Sequence, residues 1–136
     1  PQYPGYCLAG IDIDGCKEGL DGEIHPIIAE LIEKLDTYAE ISPSGCGIHI
    51  YFVCRTSVRD RLKSEGFINP GSKWGRDFRA GKGREFSPRL GGGKFLTFTG
   101  NAIAPVDELI GPGPVRELSY KQCEWMFGDF GEEFKI

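Results

Sequence analysis

Hydrophobic and polar positions change period several times along the chain, and each change marks an element. Residues 6–14, YCLAGIDID, form an apolar run that ends in alternating aspartate, isoleucine and aspartate, the pattern of a strand reaching an exposed end. GCKEGLDGE is a turn-rich link. From Glu23 to Leu35 the residues Ile24, Ile27, Ile28, Leu31, Ile32 and Leu35 recur at helical spacing, with Pro26 near the first turn, where its missing N–H costs little. TYAEIS (37–42) and GIHIYFVC (47–54) predict two antiparallel strands joined by the bend PSGCG. SVRDRLKSEGF (57–67) predicts a shorter helix with Ser57 as N-cap and Val58, Leu62 and Phe67 on one side.

The stretch 69–83, with four glycines and a proline, predicts a long loop. REFSP (84–88) and KFLTFTGNAI (94–103) predict two further strands, and GPGPV (111–115) a break. SYKQCEWMFGDF (119–130) predicts a last amphipathic helix, packing through Tyr120, Cys123, Phe127 and Phe130. The order strand, helix, strand, strand, helix, strand, strand, helix suits an α+β fold, an antiparallel sheet with helices packed on one face. The 136 residues fit a single domain, 1–136, with one modest core. Because the chain begins with proline, we expect it to be a piece of a longer protein.

Charge changes this picture more than composition does. The net charge of −4 hides a segregation: residues 1–54 carry nine acids against Lys17 and Lys34, whereas residues 55–94 carry eleven bases against Asp60, Glu65, Asp77 and Glu85. A basic middle in an acidic chain points to a local polyanion site rather than a generally adhesive surface. No apolar run approaches the roughly 18 residues of a membrane span, so no membrane partner is expected. The five cysteines are irregularly spaced and contain no C-x-x-C pair, which argues against a zinc site and for reduced thiols in a cytoplasmic protein.

Three places carry candidate chemistry. Asp12 and Asp14, two apart on a strand, project to one face while Ile13 enters the core. Two adjacent carboxylates are reconciled by a cation, and oxygen donors suit Mg²⁺ or Mn²⁺. A calcium loop starting at Asp12 fails, because Cys16 and Lys17 stand at its fifth and sixth positions. His49 follows a bend containing Ser44, Gly45 and Gly47, which can bring backbone N–H groups close to a phosphate. Alternation puts His49 opposite Ile48 and Ile50, on the face that Asp12 and Asp14 are expected to share. Glu85 sits among Lys82, Arg84 and Arg89 and offers a third acid, while GGGKF (91–95) lacks the spacing and the Ser/Thr of a Walker A loop.

In order, GIDID, TYAE with SPSGCGIHI, REF and KFLTFTGN resemble the catalytic core of the archaeo-eukaryotic primase superfamily, nearest to the primase-polymerases of phages and plasmids. The likeness covers roughly residues 6 to 101. It implies an RRM-like antiparallel sheet and a template-directed nucleotidyltransferase, a DNA primase and polymerase, using two Mg²⁺ or Mn²⁺ ions. Asp12, Asp14 and Glu85 match its catalytic metal ligands, although aspartate is more frequent at the third position. Ser44, Gly45, Gly47, His49 and Lys94 match its nucleotide-binding positions. With nucleoside triphosphates and a DNA template and primer as partners, the basic residues Lys73, Arg76, Arg79, Lys82, Arg84 and Arg89 would follow the DNA phosphates. The resemblance allows a fused or associated helicase, in a bacterial, archaeal or virus-infected cell. A binding module without catalysis and a metal-dependent nuclease are the alternative readings of the same carboxylates.

Overall fold

The computed structural model describes residues 5–15, 23–67, 78–80, 84–89 and 115–134, with 78–80 and 84–89 described at the level of the backbone. The elements are β1 (Tyr6–Asp14), α1 (Pro26–Leu35), β2 (Ala39–Ile41), β3 (Ile48–Arg55), α2 (Thr56–Ser64), β4 (Phe78–Ala80), β5 (Arg84–Arg89), β6 (Arg116–Glu117), α3 (Tyr120–Trp125) and α4 (Gly131–Phe134). A π-helical turn, Met126–Phe130, joins α3 to α4. The sheet runs β2-β3-β1-β5-β4, each neighbouring pair antiparallel, while β6 lies parallel to β3. The class is therefore α+β, with an open and mainly antiparallel sheet.

Register follows from which side chains must leave water. Across β2, β3, β1 and β5 the row Ile41, Ile48, Ile13, Phe86 lies in line, and beside it the row Ala39, Ile50, Ile11, Pro88. Ile11, Ile13, Ile48 and Ile50 are fully buried in one cluster with Ile28, Leu31, Ile32 and Leu35 of α1, Leu62 of α2 and Cys123, Met126, Phe127, Phe130 and Phe134. Burying each large side chain of this kind contributes about 1.5–3 kcal/mol. Every helix thus supplies residues to the cluster on one side of the sheet, and the polar positions of β1, β2 and β3 fall on the other.

Helix ends differ from the sequence reading in instructive ways. α1 begins at Pro26 because the His25 Nδ1 accepts from the Ile27 N–H and Pro26 has no N–H to satisfy. It stops at Asp36, which takes a left-handed conformation with its N–H on the Ile32 carbonyl. Ser57 is not the N-cap of α2. β3 continues to Arg55, the Thr56 N–H donates to the Gly5 carbonyl, and the chain enters the helix directly with no side-chain cap. α3 has the full capping box, Ser119 accepting from the Gln122 N–H and Gln122 accepting from the Ser119 N–H.

Two short strands depart from expectation. β4 lies at 78–80, inside the stretch read as loop, because its backbone completes the edge of β5. β6, two residues long, takes over the far edge of β3 where β2 ends. Thr37 manages that handover. Its buried hydroxyl donates to the Tyr51 carbonyl at 2.7 Å and accepts from the Arg116 N–H at 2.8 Å, so neither backbone group is left without a partner. The expected strand 94–103, the break 111–115 and most of the loop 69–83 lie outside the described residues. Among the described residues no helix is long and apolar enough to cross a membrane, and the four described cysteines are free.

The bend between β2 and β3 is closed from within. The Gly45 N–H donates to the Ser42 carbonyl, the Cys46 N–H to Ser44 Oγ and the Gly47 N–H to Ser42 Oγ. Gly45 has a φ of 78°, which favours glycine. Gly47 is needed for a different reason: a Cβ there would lie 2.5 Å from the Ile13 carbonyl oxygen, 3.0 Å from Ser42 Oγ and 3.4 Å from Asp14 Oδ1. The Gly47→Ala variant is therefore expected to lose about 1–3 kcal/mol of stability in urea unfolding, because the Ile13 backbone must move. Unchanged stability would show that the bend does not press on the end of β1.

Candidate active site

The non-core face of the sheet carries a third row in line, Glu40 on β2, His49 on β3, Asp12 on β1 and Ser87 on β5. Backbone bonding tells how closely each pair stands. The Thr56 N–H to Gly5 carbonyl bond makes alternate pairs from that point hydrogen-bonded, so Asp12 and His49 form a non-hydrogen-bonded pair, whose side chains approach most closely. The Tyr51 N–H to Tyr38 and Ser42 N–H to Gly47 bonds make Glu40 and His49 a hydrogen-bonded pair. The imidazole of His49 therefore stands between two carboxylates: Nε2 is 3.5 Å from Asp12 Oδ1, and Nδ1 is 3.3 Å from Glu40 Oε2.

These three groups differ in their access to water. The Glu40 side chain is fully buried, that of His49 is 6% exposed and that of Asp12 is 19% exposed. Glu40 also accepts from the Tyr38 hydroxyl, at 3.2 Å to Oε1. Tyr51, two residues beyond His49 and on the same face, meets the His49 ring edge-on with centroids 6.2 Å apart, and lies at the same distance from the Tyr38 ring. Burial, reinforced by the charge of Glu40, by Tyr38 and by the charge of Asp12, pushes the Tyr51 phenol up to about 12. Burial and then Glu40 raise Tyr38 as well.

One step along the sheet, Asp14 shares the face of Asp12, is exposed, and pairs in register with Glu85 of β5. Glu85 pairs in turn with Arg79 of β4, Ala80 with Arg84, and Gly10 with Arg89. Of the residues singled out in the sequence, Asp12, Asp14 and His49 come together on adjoining strands, Glu85 takes the register position across from Asp14, and Gly47 lies against Asp14. Ser44 is exposed on the bend, with its hydroxyl 3.1 Å from Ser42 Oγ. The Gly45, Cys46 and Gly47 amides of the bend are already bonded internally, so what it offers is the exposed Ser44 hydroxyl, while the Gly47 side-chain position is closed off by the Ile13 carbonyl, Ser42 and Asp14. Lys73, Arg76, Lys82 and Lys94 lie outside the described residues.

Glu40 is the member that sequence reasoning passed over as a site residue. The signal was present: a hairpin closing at Ser42 and Gly47 puts position 40 directly across from 49. Asp12 and Asp14 fit a hard divalent cation by donor type and by their shared face. Among the described side chains no three His, Cys, Asp or Glu groups form a ready-made metal cage; position 85 lies in register across from Asp14.

The raised Tyr51 phenol sets an alkaline limit on the site. An unfolded tyrosine ionises near pH 10, whereas the folded one holds its proton to about 12. The stability it contributes is present below pH 10 and is lost as pH rises toward 12. Denaturant midpoints measured from pH 9 to 12 should fall for the wild type, and fall less steeply for Tyr51→Phe.

Comparison with protein-family models gives no match, and comparison with curated proteins gives none either. The functional reading therefore rests on the residues of the site.

Proposed function

We propose that the chain is the catalytic core of a template-directed nucleotidyltransferase, a DNA primase-polymerase of the archaeo-eukaryotic primase type found in phages and plasmids. The observation that carries this reading is the meeting of GIDID, SPSGCGIHI and REF on the adjoining strands β1, β3 and β5, which aligns His49, Asp12, Asp14 and position 85 on one face. These stretches are far apart in the chain and each is weak alone. An RRM-like form of the sheet belongs to the same proposal.

Asp12, Asp14 and Glu85 would hold the metal, and two bound Mg²⁺ or Mn²⁺ ions would supply Lewis-acid stabilisation of charge on the α-phosphate and on the departing pyrophosphate. The remaining work falls to the protein as positioning, the main lever in phosphoryl and nucleotidyl transfer. His49, buried beside Asp12, has its Nε2 turned to the aspartate side; taking up a proton there as the nucleotide binds, it would donate to a triphosphate oxygen. The Ser44 hydroxyl, the Gly45–Gly47 bend and Lys94 would border the same triphosphate. Arg84 and Arg89 stand on β5, next to β1, and Arg79 on β4 beyond it; by register Arg79 and Arg89 fall on the face of Asp12 and Asp14, and Arg84 on the opposite one. With Lys73, Arg76 and Lys82, the two on the aspartate face would follow the phosphates of template and primer. A fused or associated helicase and a cytoplasmic setting in a bacterial, archaeal or virus-infected cell go with this reading.

Primer synthesis and primer extension with nucleotides and Mg²⁺ or Mn²⁺ test it. The wild type should incorporate nucleotides, and Asp12→Asn, which keeps the shape of the side chain, should lower incorporation on the order of a hundredfold or more with little change in folding. Cleavage of DNA without incorporation would favour the nuclease. Nucleotide binding with neither reaction would favour the non-catalytic module.

A further inference from the structure

A carboxylate with no surface in water, held on a histidine that itself faces the aspartate side of the site, is a recognisable arrangement for orienting a ring. Glu40 is fully buried, accepts from the Tyr38 hydroxyl at Oε1, and has Oε2 3.3 Å from His49 Nδ1. Asp12 lies 3.5 Å from the other ring nitrogen and keeps part of its surface in water, where solvent or a cation can satisfy it. The two carboxylates therefore do not compete equally for the ring. Leaving a buried carboxylate facing a nitrogen lone pair costs far more than leaving a wet one so placed.

We propose that Glu40 is a positioning residue that accepts the hydrogen bond from His49 Nδ1–H and so fixes the ring with Nε2 toward Asp12 and the site. Tyr38 holds the second oxygen of Glu40, so the carboxylate cannot rotate away without breaking that bond as well. The backbone supports this arrangement, since Glu40 and His49 are a hydrogen-bonded pair of the β2–β3 hairpin and their strands are locked in register by the bend. For nucleotide handling the inference rests on the function proposed above; for the state of the ring it stands on the geometry alone. A partner behind a functional histidine governs both its tautomer and its aim, and removing such a partner typically costs about tenfold to a hundredfold at the site it serves.

The chain contains two histidines, and they provide an internal contrast. His25 Nδ1 accepts the Ile27 N–H, so its neutral ring carries the proton on Nε2. His49 should carry it on Nδ1. Long-range ¹H–¹⁵N spectra of the uniformly labelled protein should therefore show opposite neutral tautomers for the two rings, with His49 reverting to the Nε2–H form in Glu40→Leu. Glu40→Gln keeps an oxygen that can accept from Nδ1 and should keep the Nδ1–H form. A wild-type His49 protonated at Nε2 alone overturns the proposal whether or not the protein is an enzyme.

In the extension assay Glu40→Leu should raise the nucleotide KM about tenfold with a smaller effect on kcat, and Glu40→Gln should restore most of the loss. In a His49→Ala background Glu40→Leu should add less than about twofold, because Glu40 acts through the ring. An equal loss in both backgrounds, or an unchanged KM in Glu40→Leu, overturns the positioning role. A wild type that incorporates nothing overturns the proposed function instead, and the spectra still decide the role of Glu40. If Glu40→Leu fails to fold, Tyr38→Phe, which removes only the hydroxyl, should shift the His49 ¹⁵N signals in the same direction; unchanged signals count against the proposal.

Discussion

Glu40 has no contact with water, and a carboxylate in that position persists in a fold only where hydrogen-bond donors are already waiting for it. Tyr38 and His49 meet it on two sides. That requirement reaches well beyond the three residues. A slip of β2 by one position against β3 would carry Glu40 to the side of Ile48 and Ile50, an apolar cluster with no charge to match. The buried charge thus specifies the register of the hairpin, the hairpin fixes the height of His49 on β3, and β3 sets the point on β1 that the imidazole faces.

The scaffold around this row keeps β3 fixed from both edges. β1 pairs with β3 along eight positions, from Tyr6 with Arg55 to Ile13 with Ile48. On the other edge β2 covers only three residues before Thr37 passes the role to β6. Helices α1 and α2 and the helical segment from Tyr120 to Phe134 fill the opposite face with apolar side chains. That division of labour leaves the polar face free to gather titratable groups without weakening the core. Gly47 closes the arrangement at the end of β1, where a larger residue would displace the Ile13 carbonyl next to Asp14.

Much of this was legible from residue patterns, for reasons that can be stated. β1 has the expected bounds because its alternation ends in two aspartates, a pattern that fits one phase of a half-buried strand. The face shared by Asp12 and His49 followed from the period of two in both strands. The helix boundaries were less legible, since backbone bonds formed across the sheet decide them: Thr56 begins α2 because Gly5 accepts its N–H, not because Ser57 is available as a cap. β4 and β6 were missed because strands of two or three residues are made by their neighbours, and no local pattern marks them. Glu40 was missed as a site residue for a related reason: its importance comes from pairing opposite His49, which a reading along one strand does not reveal.

The most direct test is a crystal structure of the chain with Mn²⁺ and a non-hydrolysable deoxynucleoside triphosphate, with manganese identified by anomalous scattering. The site predicts manganese bound by Asp12 and Asp14 with Glu85 across from them, and a triphosphate oxygen accepting from Nε2 of His49, whose ring gains a second proton in the complex while Nδ1–H stays on Glu40. Manganese and triphosphate bound together elsewhere, with the Asp12–His49–Glu40 row untouched, would contradict it.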